Sequence, residues 1–175
     1  MIPEIGHFAL ALALALAIVQ SVVPMLGAAS GNLTWMALAR PAARAQCLFV
    51  VVAFIALAWC FIANDFSVTY VAANSNSALP LAYRISAVWG AHEGSLLLWV
   101  VILALWTVAV SFFSRGLPPA FIARVLSVMG LISIGDGDIE NSKDWLTFGS
   151  ATLAWRVHQR VSLKTQLDFN SAGWD

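Results

Sequence analysis

Three long runs of apolar residues limit this chain more than any other feature. Phe8–Leu26 is broken only by Gln20, Ser21 and Pro24. Cys47–Ala63 holds no strongly polar residue, and Leu96–Phe113 holds only Thr107 and Ser111. At ~1.5 Å of rise per residue, helices of this length reach about 26–29 Å, close to the ~30 Å hydrocarbon core of a bilayer. The Ala-Leu alternation from Ala9 to Ala17 has the period of a strand. Alanine and leucine are strong helix formers, however, and a lone strand in lipid leaves its backbone unpaired, so a helix is expected. Composition agrees: 61% of the chain is hydrophobic and 10% is charged, too little polar surface to cover a soluble monomer. Nine basic and nine acidic residues sum to zero charge, which excludes a basic nucleic-acid binder; no nucleic-acid partner is expected.

Arginine placement predicts the topology. Arg40 and Arg44 lie between the first and second runs, and Arg115 and Arg124 follow the third. Both segments are expected on the cytoplasmic side. The loop from Asn64 to Glu93 carries one arginine against two acids and should face outward, which puts the N-terminus outside, in a bacterium the periplasm. The first run is read as a retained span rather than a cleaved signal peptide, because Glu4 and His7 stand where a signal peptide needs Lys or Arg. After Pro118-Pro119 a fourth run begins, but only Val125–Ile134 is free of charge. At about 15 Å of helix that stretch is too short to span. The expected fold is therefore an all-α polytopic membrane protein with three spans, near 8–26, 47–63 and 96–113, and a truncated fourth near 121–134.

The outward loop carries the candidate chemistry. After Pro80, Leu81, Ile85, Val88 and Trp89 recur with helical spacing and predict a short amphipathic helix. It either lies in the membrane interface or packs as an ordinary loop helix on its neighbours. Then comes Trp89-Gly-Ala-His92-Glu93-Gly94-Ser95, running directly into the third span. If this stretch is helical, Trp89, His92 and Glu93 share a face, and Glu93 sits where the helix dipole favours an anion. His92 is either a ligand of a metal or haem iron, through its neutral imidazole, or a hydrogen-bonded structural residue. Cys47 and Cys60 fall about 20 Å apart on one helix, too far for a disulfide. No C-x-x-C, C-x-x-C-H, Walker A or H-E-x-x-H pattern occurs, and no metal site is expected.

Met1-Ile-Pro-Glu-Ile-Gly-His-Phe-Ala-Leu10, Asp65-Phe-Ser-Val-Thr-Tyr-Val-Ala72, Ser75-Asn-Ser-Ala-Leu-Pro-Leu-Ala-Tyr-Arg84 and the Trp89–Trp99 stretch closely resemble the N-terminal part of the CcmF family. These are cytochrome c-type biogenesis proteins, subunits of the bacterial haem lyase, with NrfE as their nitrite-reductase-pathway relative. Arg124–Gly135 resembles the start of the family's fourth span. The resemblance implies a multi-pass inner-membrane protein that handles haem for covalent attachment to C-x-x-C-H apocytochrome c at the periplasmic face. It implies haem as cofactor. Its implied partners are CcmH, CcmI, a CcmE-like haem chaperone and apocytochrome c, besides membrane lipid. The family's tryptophan-rich haem-handling segment and its haem-ligating histidines are absent, so the alternative reading is a non-catalytic scaffold subunit. No catalytic residue is carried over; Trp89, His92, Glu93 and Gly94 are the candidate site.

The last forty residues differ. Residues 136–175 hold ten of the chain's eighteen charges, and two alternating stretches flank His158-Gln-Arg160. That period predicts a β-hairpin. Residues 136–175 do not match the family, and the jump in charge and period predicts a composite chain joined near Gly135.

Overall fold

A computed structural model describes residues 1–114 and 116–135. Within them the chain forms seven helices: α1 (Ile2–Ser30), α2 (Leu33–Ala37), α3 (Ala39–Ala63), α4 (Thr69–Asn74), α5 (Leu81–Ala87), α6 (His92–Phe113) and α7 (Pro119–Gly135). No strand occurs among the described residues. The predicted C-terminal hairpin lies outside them. Three segments, Ile2–Ser30, Leu33–Ala63 and His92–Phe113, are long and apolar enough to cross a membrane. Each outruns its apolar core, because helix formation continues through polar residues that the bilayer does not have to accept. Glu4 lies in the first turn of α1, where a carboxylate is favoured, and Arg40 and Arg44 lie on α3. α7 likewise starts earlier than its uncharged stretch, at Pro119, a residue whose missing N–H costs nothing at a helix start.

α1, α3, α6 and α7 form an antiparallel bundle in which α1 packs on α3 and α7, and α6 packs on α3 and α7. The α1–α3 seam is built from small residues. Ala9 and Ala13 of α1 share one buried cluster with Val50 and Ala53 of α3, and Ala17, Ala42, Ala43 and Ala56 are buried as well. A side chain at Gly6 would press on the Ala56 methyl at 3.1 Å. In lipid no hydrophobic force separates leucine from the solvent, so close backbone approach supplies the association. The Ala-Leu alternation thus resolves as a helix that buries an alanine at every fourth position, Ala9 and Ala13 of them against α3. Large apolar residues face outward instead: Phe8, Leu48, Trp59, Trp106 and Phe113 are exposed. Within the bundle, the fully buried Gln20 donates from Nε2 to the Leu126 carbonyl of α7 at 2.7 Å.

Arg40 and Arg44 lie together at one end. Arg40 donates to the Ser114 carbonyl at 3.2 Å, a C-terminal acceptor of α6 where positive charge is favoured. Arg44 reaches Ser111 Oγ at 3.5 Å and lies over the Phe112 ring at 4.3 Å. The start of α1, the end of α3 and the start of α6 meet at the opposite end, with Glu4, Asp65, Arg84 and Glu93. Glu4, Asp65 and Glu93 thus lie away from Arg40 and Arg44, with Arg84 the one arginine among them in the described residues.

Candidate functional site

The opposite end is organised by the chain between α3 and α6. Asn64 closes α3 in the left-handed region (φ 54°), a conformation asparagine tolerates, and Asp65 then accepts from the Ser67 backbone and hydroxyl in a local turn. This turn starts α4, which buries Tyr70 and Val71. Together with Cys60, Phe61, Val68 and Val88 these form a small apolar core. The Tyr70 ring meets Phe61 edge-on at 5.4 Å.

The Tyr70 hydroxyl joins the two segments that flank the candidate motif. It donates to the Val88 carbonyl at 3.2 Å and accepts from the Gly94 N–H at 3.1 Å. Ala91, the residue before α6, has no capping side chain, so the first N–H groups of that helix lack partners of their own. Tyr70 supplies one from a different helix. Gly94 is buried, and a Cβ there would overlap the Val88 carbonyl oxygen and come within 2.5 Å of the Tyr70 hydroxyl. Only glycine fits. Burial raises the Tyr70 phenol above its usual pKa, partly opposed by the Gly94 N–H.

Arg84 fastens the preceding loop. Its Nε donates to the Leu79 carbonyl at 2.8 Å, Nη1 to Ile62 at 3.3 Å and Nη2 to Ser77 at 3.3 Å. One guanidinium thus ties the end of α3 to the segment before Pro80, a task suited to its planar fork.

Between these two anchors the candidate residues are presented to the outside. Trp89, His92 and Glu93 are exposed, and only Gly94 is buried. The four do not share one helix. Residues 88–90 form a turn and Ala91 is extended, so Trp89 belongs to the link between α5 and α6, not to α6. The expected face running from Trp89 to His92 and Glu93 is broken at Gly90-Ala91. Sequence reasoning missed Tyr70: its partners stand 18 and 24 residues away, and no local pattern signals so distant a contact.

A resident haem needs an axial donor and a slot around the ring. His92 is a single exposed imidazole, and no group of three or more His, Cys, Asp or Glu among the described residues is arranged to hold a metal. The groove of about 330 Å³ between α1 and α7 is lined by Ser21, Val22, Met25, Leu26, Ser127 and Leu131; the Met25 thioether is its one group able to ligate haem iron, with no imidazole or thiolate beside it. The described residues do not fit a resident haem. They fit a rigid platform with an imidazole, a carboxylate and an indole on its surface.

No family model matches the chain. It is 64% identical over 135 residues to the cytochrome c-type biogenesis protein CcmF of Pseudomonas aeruginosa, covering 77% of this chain and 20% of that protein. It is 50% identical over 135 residues to CcmF of Escherichia coli, at 77% and 21%, and 42% identical to NrfE of Haemophilus influenzae, at 77% and 21%. Among solved structures it is similar to cytochrome c haem lyase CcmF, with a TM-score of 0.74, 29% identity, and coverage of 86% of this chain and 23% of the other. The chain thus spans about a fifth of the length of the curated relatives it matches.

Proposed function

We propose that residues 1–135, which are 64% identical to the N-terminal fifth of a CcmF protein over 135 residues, form the N-terminal bundle of a haem lyase subunit in cytochrome c maturation. The bundle sits in the bacterial inner membrane with its N-terminus and the Asn64–Glu93 loop in the periplasm. The observation that carries this reading is the Tyr70 clamp: an outward loop held at both ends, displaying His92 and Glu93 at the start of α6 with Trp89 exposed on the link before them. A surface of this composition suits a moving partner, whether a CcmE-like chaperone carrying haem or the apocytochrome that receives it. CcmH and CcmI are the membrane partners proposed for the bundle sides. In this reading the residues of the chain bind and orient; the covalent step belongs to segments that the relatives possess beyond the matched region.

A second reading, a scaffold that only assembles partners, is favoured by one observation: among the described residues, His92 belongs to no group of three or more His, Cys, Asp or Glu that could hold a metal. The two separate in a strain lacking full-length CcmF. That strain receives the full-length protein carrying His92→Ala or Trp89→Ala, and covalent haem is stained on cytochrome c. Loss of holocytochrome with partners still co-purifying supports haem handling at this surface; full retention supports the scaffold. Periplasmic and cytoplasmic reporters fused after Ser77 and after Gly116 test the orientation, with the periplasmic reporter active only at Ser77.

For residues 136–175 we propose a separate origin, a polar tail unrelated to the helical region. Its support is the concentration of charge after Gly135. Long-read sequencing across the codons for Met129–Glu140 tests it, and an uninterrupted native reading frame in the source genome would sink it.

A further inference from the structure

α5 divides its surroundings three ways. Arg84 and Ala87 are partly covered and Val88, which continues the helical conformation, is 1% exposed; these face the protein. Leu81, Ile85 and Trp89 stand bare at 54%, 39% and 42% exposure. Ala82, Tyr83 and Ser86 are also exposed. At ~3.6 residues per turn the three sets form three consecutive arcs: one toward protein, one apolar and bare, one small or hydroxyl-bearing. A loop helix packed on its neighbours needs two arcs only. A third arc, apolar and uncovered, calls for a third medium.

The position of the helix says which medium. α5 lies between the end of α3 at Ala63 and the start of α6 at His92, both segments able to cross a membrane. It packs on α3, whose last turns expose Trp59 and Ile62. The only charge on α5 is spent on carbonyls of the protein, so none enters the bare arc. Trp89, at the edge of that arc, suits the headgroup region, where a ring is half wet and half apolar.

We propose that α5 is an in-plane helix seated on the bilayer surface, with Leu81, Ile85 and Trp89 among the headgroups and upper acyl carbons. Its roll is fixed by the Arg84 and Val88 anchors, and it holds His92 and Glu93 at headgroup depth. The partner is lipid, and this holds whether or not the bundle handles haem.

The test uses the full chain in nanodiscs of phosphatidylethanolamine and phosphatidylglycerol, with Cys47→Ala and Cys60→Ala removing the native thiols. A nitroxide is placed at Ile85→Cys or Ser86→Cys, and its collisions with oxygen and with a nickel chelate are compared. The oxygen-to-nickel ratio should be several-fold higher at 85 than at 86. Equal ratios, or a nickel preference at 85, overturn the proposal. The pair Leu81→Cys and Ala82→Cys repeats the measurement should Ile85→Cys lose its helical circular dichroism. An arc open to nickel in lipid alone, and covered only when a haem-lyase partner protein is added, would assign the surface to protein and likewise overturn it.

Discussion

Tyr70 caps a helix to which it does not belong: its hydroxyl accepts the Gly94 N–H at 3.1 Å, inside the first turn of α6. The same oxygen donates to Val88, so one atom closes the link on which Trp89 stands. Tyr70→Phe keeps the ring and removes both bonds. A buried N–H and a carbonyl then go unpaired, at a cost of about 1–3 kcal/mol. Denaturant unfolding in detergent should show this loss, with hydrogen exchange rising first at residues 88–95.

Gly94→Ala is the harsher change, because the added methyl has backbone on one side and the Tyr70 hydroxyl on the other. Neither yields cheaply. A loss of about 2–4 kcal/mol is expected, against under ~0.5 kcal/mol for alanine at the open Gly116. Comparable unfolding midpoints for the two variants would contradict the close approach.

The Tyr70 phenol is held above its ordinary pKa of ~10. The folded state therefore binds this proton more tightly than the unfolded state does. Its contribution is whole below about pH 10 and is lost as pH climbs through the raised value. The stability gap between wild type and Tyr70→Phe should be flat up to that point and narrow above it. A gap that widens above pH 10 would reverse the sign and refute the assignment.

Arg84→Lys keeps the charge but not the fork. Of three carbonyls bound by the guanidinium, an ammonium cannot hold all in the same directions. About 1 kcal/mol should be lost, and limited proteolysis should first cut between Asn74 and Leu81 while the spans stay intact.

At the α1–α3 seam, Ala13→Leu inserts three carbons where exposure is nil and should cost about 1–3 kcal/mol by overpacking. Ala15→Leu, on the exposed side of the same helix, should be close to neutral. Thermal aggregation midpoints in one detergent compare the two directly.

The spans were readable because lipid demands length and apolarity together, and both are visible in Phe8–Leu26, Cys47–Ala63 and Leu96–Phe113. Helix ends were less so, since Glu4, Arg40 and Arg44 interrupt the apolar pattern without interrupting the helix. The short helix after Pro80 was legible from its spacing, whereas α4 was not: its six residues are held by burial of Tyr70 and Val71, a tertiary cause. The candidate motif was legible as a string of residues but not as a shape. Gly90 and Ala91 end one helix and prepare another, and no periodicity reports that break. The tie between Tyr70 and Gly94 depends on the whole intervening loop folding back.

The Ala-Leu alternation of α1 has an effect beyond packing. A repeat of two laid on a helix of ~3.6 residues per turn prints alanine on opposite sides at once: Ala9, Ala13 and Ala17 on one, Ala11 and Ala15 on the other. Only the first set is buried. Over this stretch the helix offers two nearly equal smooth faces, so alanine alone cannot decide which turns inward. Gln20 falls on the same side as Ala9, Ala13 and Ala17, and its bond to the Leu126 carbonyl breaks the tie. Gly6 and Gly27, which approach Ala56 and Trp35 closely, fall on that side too, so one amide and two glycines set the rotation of a 29-residue helix whose Ala-Leu stretch could turn either way.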